Sequence, residues 1–192
     1  MMTATQPETI NGIDRAALAT TISMIAKSPD LGGATFHSAS HWIDDRHVTT
    51  VIDQFSAAGG AHHRAASHQI DTDLPKPLHG TDVGPSPLEV ALSALGSCVA
   101  TTIAVHAAAK GIELVNLEVT IAGGLDLRGF LNLADVRPGY QRIELNVMLR
   151  SGLAQEEVVR FVESAIRFSP VLDLFRGGTE VAVTTTALSD EN

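Results

Sequence analysis

The residues best equipped for chemistry in this sequence gather around one thiol. Cys98 is the single cysteine of 192 residues, and it stands in Gly84-Pro-Ser-Pro-Leu-Glu-Val-Ala-Leu-Ser-Ala-Leu-Gly-Ser-Cys-Val-Ala-Thr-Thr102. A thiolate is a nucleophile and can be oxidised, whereas a buried neutral thiol is a small apolar filler. Both readings fit the small residues around Cys98. A reactive Cys98 needs a cation beside it. It lies about three turns from the helix start at Ser86, and the helix dipole fades within the first turn. Arg46, Arg64 and the histidines are the candidate cations. Glu89 falls half a turn away from Cys98 on a helical wheel. Its spacing from Ser86 assigns it a capping role instead.

Other chemistry has weaker support. His62-His63, His68, His37, His41 and His47 match neither a Cys/His finger nor His-Glu-x-x-His, so no metal is expected. Gly123-Gly124 and Gly177-Gly178 lack a following phosphate-binding helix and its Lys-Ser/Thr, so no nucleotide or other cofactor is expected. No serine lies in a nucleophile elbow.

The elements that must position Cys98 can be read from pattern. Ser86 is an N-cap, Pro87 sits at the first helical position, and Glu89 completes a capping box. The helix so begun runs to Lys110, with Gly111 as its stop. On its wheel Ala91, Ala94, Thr101, Thr102, Val105 and Ala109 lie within about 60° of Cys98. This stripe of small residues admits close approach of another helix, and a second copy of the chain would cover it. Upstream, Ile13 to Lys27 reads as a helix with Leu18, Ile22 and Ile25 on one face. Thr35 to Ile43 and Val48 to Phe55 read as strands around a hairpin turn at Asp44-Asp-Arg46-His47, and His62 to Asp71 as a third strand after Gly59-Gly60. Asp73 to Pro85 is a loop. Downstream, Val115 to Ile121 and Ile143 to Leu149 alternate cleanly as half-buried strands. Gly123 to Gly139 reads as a loop carrying Asp126-Leu-Arg-Gly-Phe130 and leading into Arg137-Pro-Gly-Tyr140. Ala154 to Phe168 is an amphipathic helix, Ser169-Pro170 opens a short one through Phe175, and Glu180 to Thr186 is a last strand. Antiparallel-like groups of strands between helices predict an α+β fold. The expected organisation is a loose tail over residues 1–10 and a single domain over 11–192.

Composition narrows the partners. A net charge of −9 with no basic run argues against nucleic acid or an anionic membrane surface. One cysteine makes no internal disulfide, and Met1 to Pro7 is polar, so a soluble cytoplasmic protein is expected. Val90 to Ala109 lacks charge over a length that could span a bilayer. It is rich in Ala, Ser and Thr and contains Gly96 and His106, so it reads as a helix buried in protein.

Gly84-Pro-Ser-Pro-Leu-Glu89, Ala94-Leu-Gly-Ser-Cys98 and His106-Ala-Ala-Ala-Lys-Gly-Ile112 together resemble the OsmC/Ohr family of osmotically inducible and organic hydroperoxide resistance proteins. Phe168-Ser-Pro-Val-Leu-Asp173 stands where that family has its second cysteine motif, and the segments at Asp126 and Arg137 resemble its longer OsmC-like branch. The resemblance runs from about Asn11 to Thr186. It implies an intertwined homodimer with a curved antiparallel sheet and a long central helix. It also implies attack of a thiol on a hydroperoxide, a sulfenic acid, and an arginine and a glutamate that activate the thiol. Cys98 takes the nucleophile's place and Arg46 the arginine's. Ser169 stands at the resolving cysteine and Leu88 at the activating glutamate, so an external thiol reductant is required. The expected function is one-cysteine reduction of a small apolar organic hydroperoxide. The alternative is a non-catalytic protein of this fold that binds a lipid-like ligand between subunits.

Overall fold

The computed structural model describes residues 9–186. Most of the expected tail lies outside them. Its last two residues, Thr9–Ile10 (β1), pair with Ile13–Asp14 (β2), and Ile10 is buried. Asp14 then caps helix α1, Arg15–Lys27, accepting from the Ala17 N–H at 2.9 Å. Leu18 is half-buried on α1, but Ile22 and Ile25 remain exposed, so the face expected there is only partly covered by the described residues.

Four antiparallel strands follow: β3 (Ala34–Phe36), β4 (Ala39–Asp44), β5 (His47–Ala57) and β6 (Gly60–Thr72). β5 is central, with β3 and β4 along one edge and β6 along the other. The single strand expected over Thr35 to Ile43 is broken at His37-Ser38, and its halves pair with opposite ends of β5. The β5–β6 register also shifts, between Ile52 and Gln54. Both irregularities face the same stretch of β5, an arrangement that favours a local bend as bulges do. Ala58 and Gly59, both at positive φ, make the tight β5–β6 turn.

The central helix α2, Pro87–Ala109, has the ends its sequence predicts. The Glu89 N–H donates to Ser86 Oγ, and the Ser86 N–H donates to Glu89 Oε2 at 2.7 Å. The Ser86 hydroxyl and N–H hold the Glu89 carboxyl below its ordinary value. Gly111, at φ 73°, ends the helix. Helix α2 is long and apolar enough to cross a membrane by length and composition. Here Leu95, Val99, Ile103 and Ala107 form the core with Phe161, Ala165 and Leu172. The antiparallel pair β7 (Leu114–Gly124) and β8 (Arg142–Ser151) lines that core with alternate residues. A four-residue helix, α3 (Leu127–Phe130), lies in the segment expected to be loop, started by the Asp126 carboxylate accepting from the Arg128 N–H. Helix α4 (Gln155–Ala165), a 3₁₀ turn (Ile166–Phe168) and helix α5 (Pro170–Gly177) complete the cover.

The expected last strand, Glu180 to Thr186, is not formed. Those residues join no ladder, and Val181 and Val183 are 78% and 82% exposed. Alternation becomes a strand only where a sheet edge receives it. The architecture is α+β, with antiparallel sheets throughout.

Candidate functional site

Cys98 sits midway along α2, half-buried, on the side turned away from the β7–β8 core. The small-residue stripe forms one wall of an open groove of about 600 Å³, through Ala94, Ser97, Cys98, Thr101, Thr102 and Val105. The opposite wall is Phe168, Pro170 and Val171, and His106 closes one end. The His106 ring stacks on Phe168, with centroids 5.0 Å apart. Small side chains on α2 create this space. A larger residue at Ala94 would fill it.

Among the described residues the sulfur has one polar partner. Ser169 Oγ donates a hydrogen bond to Cys98 Sγ at 3.3 Å, and Ser169 is 1% exposed. Ser169 occupies the N-cap position of α5 with Pro170 after it, as Ser86 and Pro87 do for α2. The two serines behave differently. Ser86 caps its helix through its side chain, while Ser169 makes no side-chain cap and turns its hydroxyl to the thiol. A donor directed at sulfur meets negative charge that develops there. Thr102 donates to the Cys98 carbonyl at 2.7 Å, a bond within the helix that leaves the sulfur free.

Arg46 is not brought to Cys98 within one chain. Its Nη1 donates to Asp45 Oδ1 at 2.5 Å and to the His79 carbonyl at 2.9 Å, which anchors the β4–β5 turn to the loop before α2. Nor does Arg64 line the groove; its guanidinium lies over the Phe55 ring at 5.3 Å. Leu88 contributes its carbonyl to Tyr140, whose hydroxyl donates at 2.9 Å. Burial, with the Glu89 charge as a smaller cause, pushes the Tyr140 phenol up. His47 pairs with Asp71 at 3.1 Å and His63 with Asp53 at 3.7 Å. Among the described residues no three His, Cys, Asp or Glu side chains converge as metal ligands.

His106 and Phe168 were not read from the sequence as parts of a site wall. Eight residues from Cys98, His106 is about 80° from it on the helical wheel, so widening the stripe would have found it. Phe168 opens the Phe168-Ser-Pro-Val-Leu-Asp173 segment, but no periodicity there marks its ring as facing the groove.

A family model described as OsmC-like protein matches residues 79–184, more than half the chain. Among solved structures the fold is similar to an OsmC like protein from Mycoplasma pneumoniae, with 22% identity and a TM-score of 0.57 over 74% of this chain and 88% of that one. It is also similar to an organic hydroperoxide resistance protein from Legionella pneumophila, with 21% identity and a TM-score of 0.53 over 75% and 90%. No curated protein matches the sequence.

Proposed function

Since this chain belongs to the OsmC-like protein family, we propose that it is a stress-response redox protein that reduces organic hydroperoxides with one cysteine and an external thiol. The observation that carries this reading is the lone thiol on the wall of an open groove, with the Ser169 hydroxyl donating to its sulfur. The groove walls offer Val105, Phe168 and Val171 to the apolar part of a hydroperoxide.

The Cys98 thiolate attacks one peroxide oxygen. An S–O bond forms as the O–O bond breaks, and the departing alkoxide takes a proton to leave as alcohol. Sulfur is oxidised to sulfenic acid and the peroxide is reduced. Ser169 has no sulfur with which to close a disulfide. An external thiol therefore attacks the sulfenic sulfur and releases water. A second thiol then cleaves the mixed disulfide and restores Cys98.

Arg46 completes the site in this proposal from the β4–β5 turn of a second copy. The first sheet supports such a homodimer, with Phe36 and Trp42 each at least 70% exposed. So do the uncovered stripe of α2 and the exposed 181–183 segment, which a partner's sheet edge could receive. A cytoplasmic location belongs to the same proposal, because one unpaired thiol suits a reducing compartment.

The test is consumption of cumene hydroperoxide with a dithiol, together with intact mass after one equivalent of peroxide. The wild type gains one oxygen and turns over; Cys98→Ser does neither. A native Cys98 that resists both peroxide and alkylation overturns the proposal. The absence of lysine and arginine from the described groove walls of one chain favours a second reading, in which the groove holds an apolar ligand without catalysis. Native mass spectrometry distinguishes the two by a co-purifying ligand on unoxidised protein.

A further inference from the structure

A second cavity, of about 680 Å³, shares no lining residue with the Cys98 groove. Its walls include Leu88, Ile143 and Phe175, and three arginines from separate segments, Arg137, Arg142 and Arg176. Among the described residues no carboxylate lines it, although the chain as a whole carries a net charge of −9. Arg142 is paired with Glu144 at 3.1 Å. Arg137 and Arg176 make no ion pair among the described residues.

The wall that holds Arg137 is built from the two motifs that the thiol site leaves unused. Asp126 accepts from the Arg128 N–H and Nε, both at 3.0 Å, and so fixes α3. Gly129 lets the chain return over it, because a Cβ there would stand 2.6 Å from the Val136 carbonyl oxygen and 2.7 Å from that of Arg137. The Tyr140 ring lies so close to Gly123 that a Cβ would meet it at 2.6 Å, and its hydroxyl ties the wall to α2 at Leu88. Gln141 Nε2 donates to the Arg137 carbonyl at 2.7 Å. The arginine thus stands on a braced loop and not on a loose one.

Guanidinium groups bind carboxylates through paired, charge-assisted hydrogen bonds, and a cavity of this size suits a small amphiphile. We propose that this cavity binds a medium-chain aliphatic carboxylate. Arg137 and Arg176 hold its head, and Leu88, Ile143 and Phe175 receive its tail. This site is independent of the thiol reaction.

Calorimetric titration with decanoate tests it. One decanoate binds per chain, and methyl decanoate and inorganic phosphate each bind at least ten-fold more weakly. The Arg137→Gln/Arg176→Gln variant loses at least ten-fold in decanoate affinity. Both arginines are exposed, so its melting temperature stays that of the wild type. Ala94→Phe, which fills the Cys98 groove, keeps the affinity. Equal binding of the methyl ester or of phosphate overturns the proposal. So does unchanged binding by the arginine variant, or loss of binding in Ala94→Phe.

Discussion

Replacing Ser169 by cysteine should turn a one-thiol site into a disulfide. The Ser169 oxygen already lies 3.3 Å from Cys98 Sγ, and bonded sulfurs stand at about 2.0 Å. The longer C–S bond closes part of that gap, and small side-chain rotations close the rest. The two positions are 71 residues apart in sequence, so the cross-link removes a large loop from the unfolded ensemble. Chain-entropy reasoning sets an upper value on the order of 4 kcal/mol for such a loop, or roughly 10 °C in melting temperature for a chain of this size. The assay has three readings on Ser169→Cys after one equivalent of hydroperoxide: free thiols by titration, intact mass without reductant, and melting with and without reductant. The expected result is no free thiol, a mass two hydrogens lower than the reduced variant, and a melting temperature several degrees higher that falls back on reduction. A folded variant that keeps two titratable thiols after oxidation refutes the reasoning, because the side chains would then not share one site.

Other outcomes follow from the same packing. Leu95 is 1% exposed at the centre of the core, so Leu95→Ala should cost about 2–5 kcal/mol in denaturant unfolding. Gly123→Ala should drive the Tyr140 ring from its place and break its bond to the Leu88 carbonyl. A cost of about 1–3 kcal/mol is expected from such overpacking, together with a change in tyrosine absorbance. Hydrogen bonds, the Thr81 hydroxyl foremost, lower the Asp73 carboxyl from 3.8 to about 2. That contribution is full above pH 3.8 and fades as pH falls through about 2. Melting temperatures of wild type and Asp73→Asn should therefore converge over that window and differ above it.

What the sequence could disclose was local. The ends of α2 are written in Ser86, Pro87, Glu89 and Gly111, whose effects reach only a few bonds, and the structure places the helix there. Leu114–Gly124 and Arg142–Ser151 alternate because one face meets α2, so their period was visible. The break at His37-Ser38 was not, because it is set by register against β5. The strand expected at Glu180 failed for a related reason: alternation says which face would be buried, but not whether an edge exists to pair with. At the site, a Ser-Pro pair at a helix start looks the same at Ser86 and Ser169. Only the tertiary neighbour, a sulfur in one case and none in the other, decides where the hydroxyl points. The separation of Arg46 from Cys98 is likewise a property of how the first sheet lies apart from α2 within one chain.

The turning of the Ser169 hydroxyl toward sulfur leaves its mark on helix α5. A helix start without its side-chain acceptor gives up about 1 kcal/mol, close to a five-fold rise in the population of opened first turns. The first amides of α5, at Val171 and Leu172, should then exchange their hydrogens faster than the capped first turn of α2. Pro170 and Val171 form part of the groove wall beside Cys98. The segment that shelters the thiol thus begins a helix with no side-chain cap, and access to the sulfur should follow the opening of that helix end.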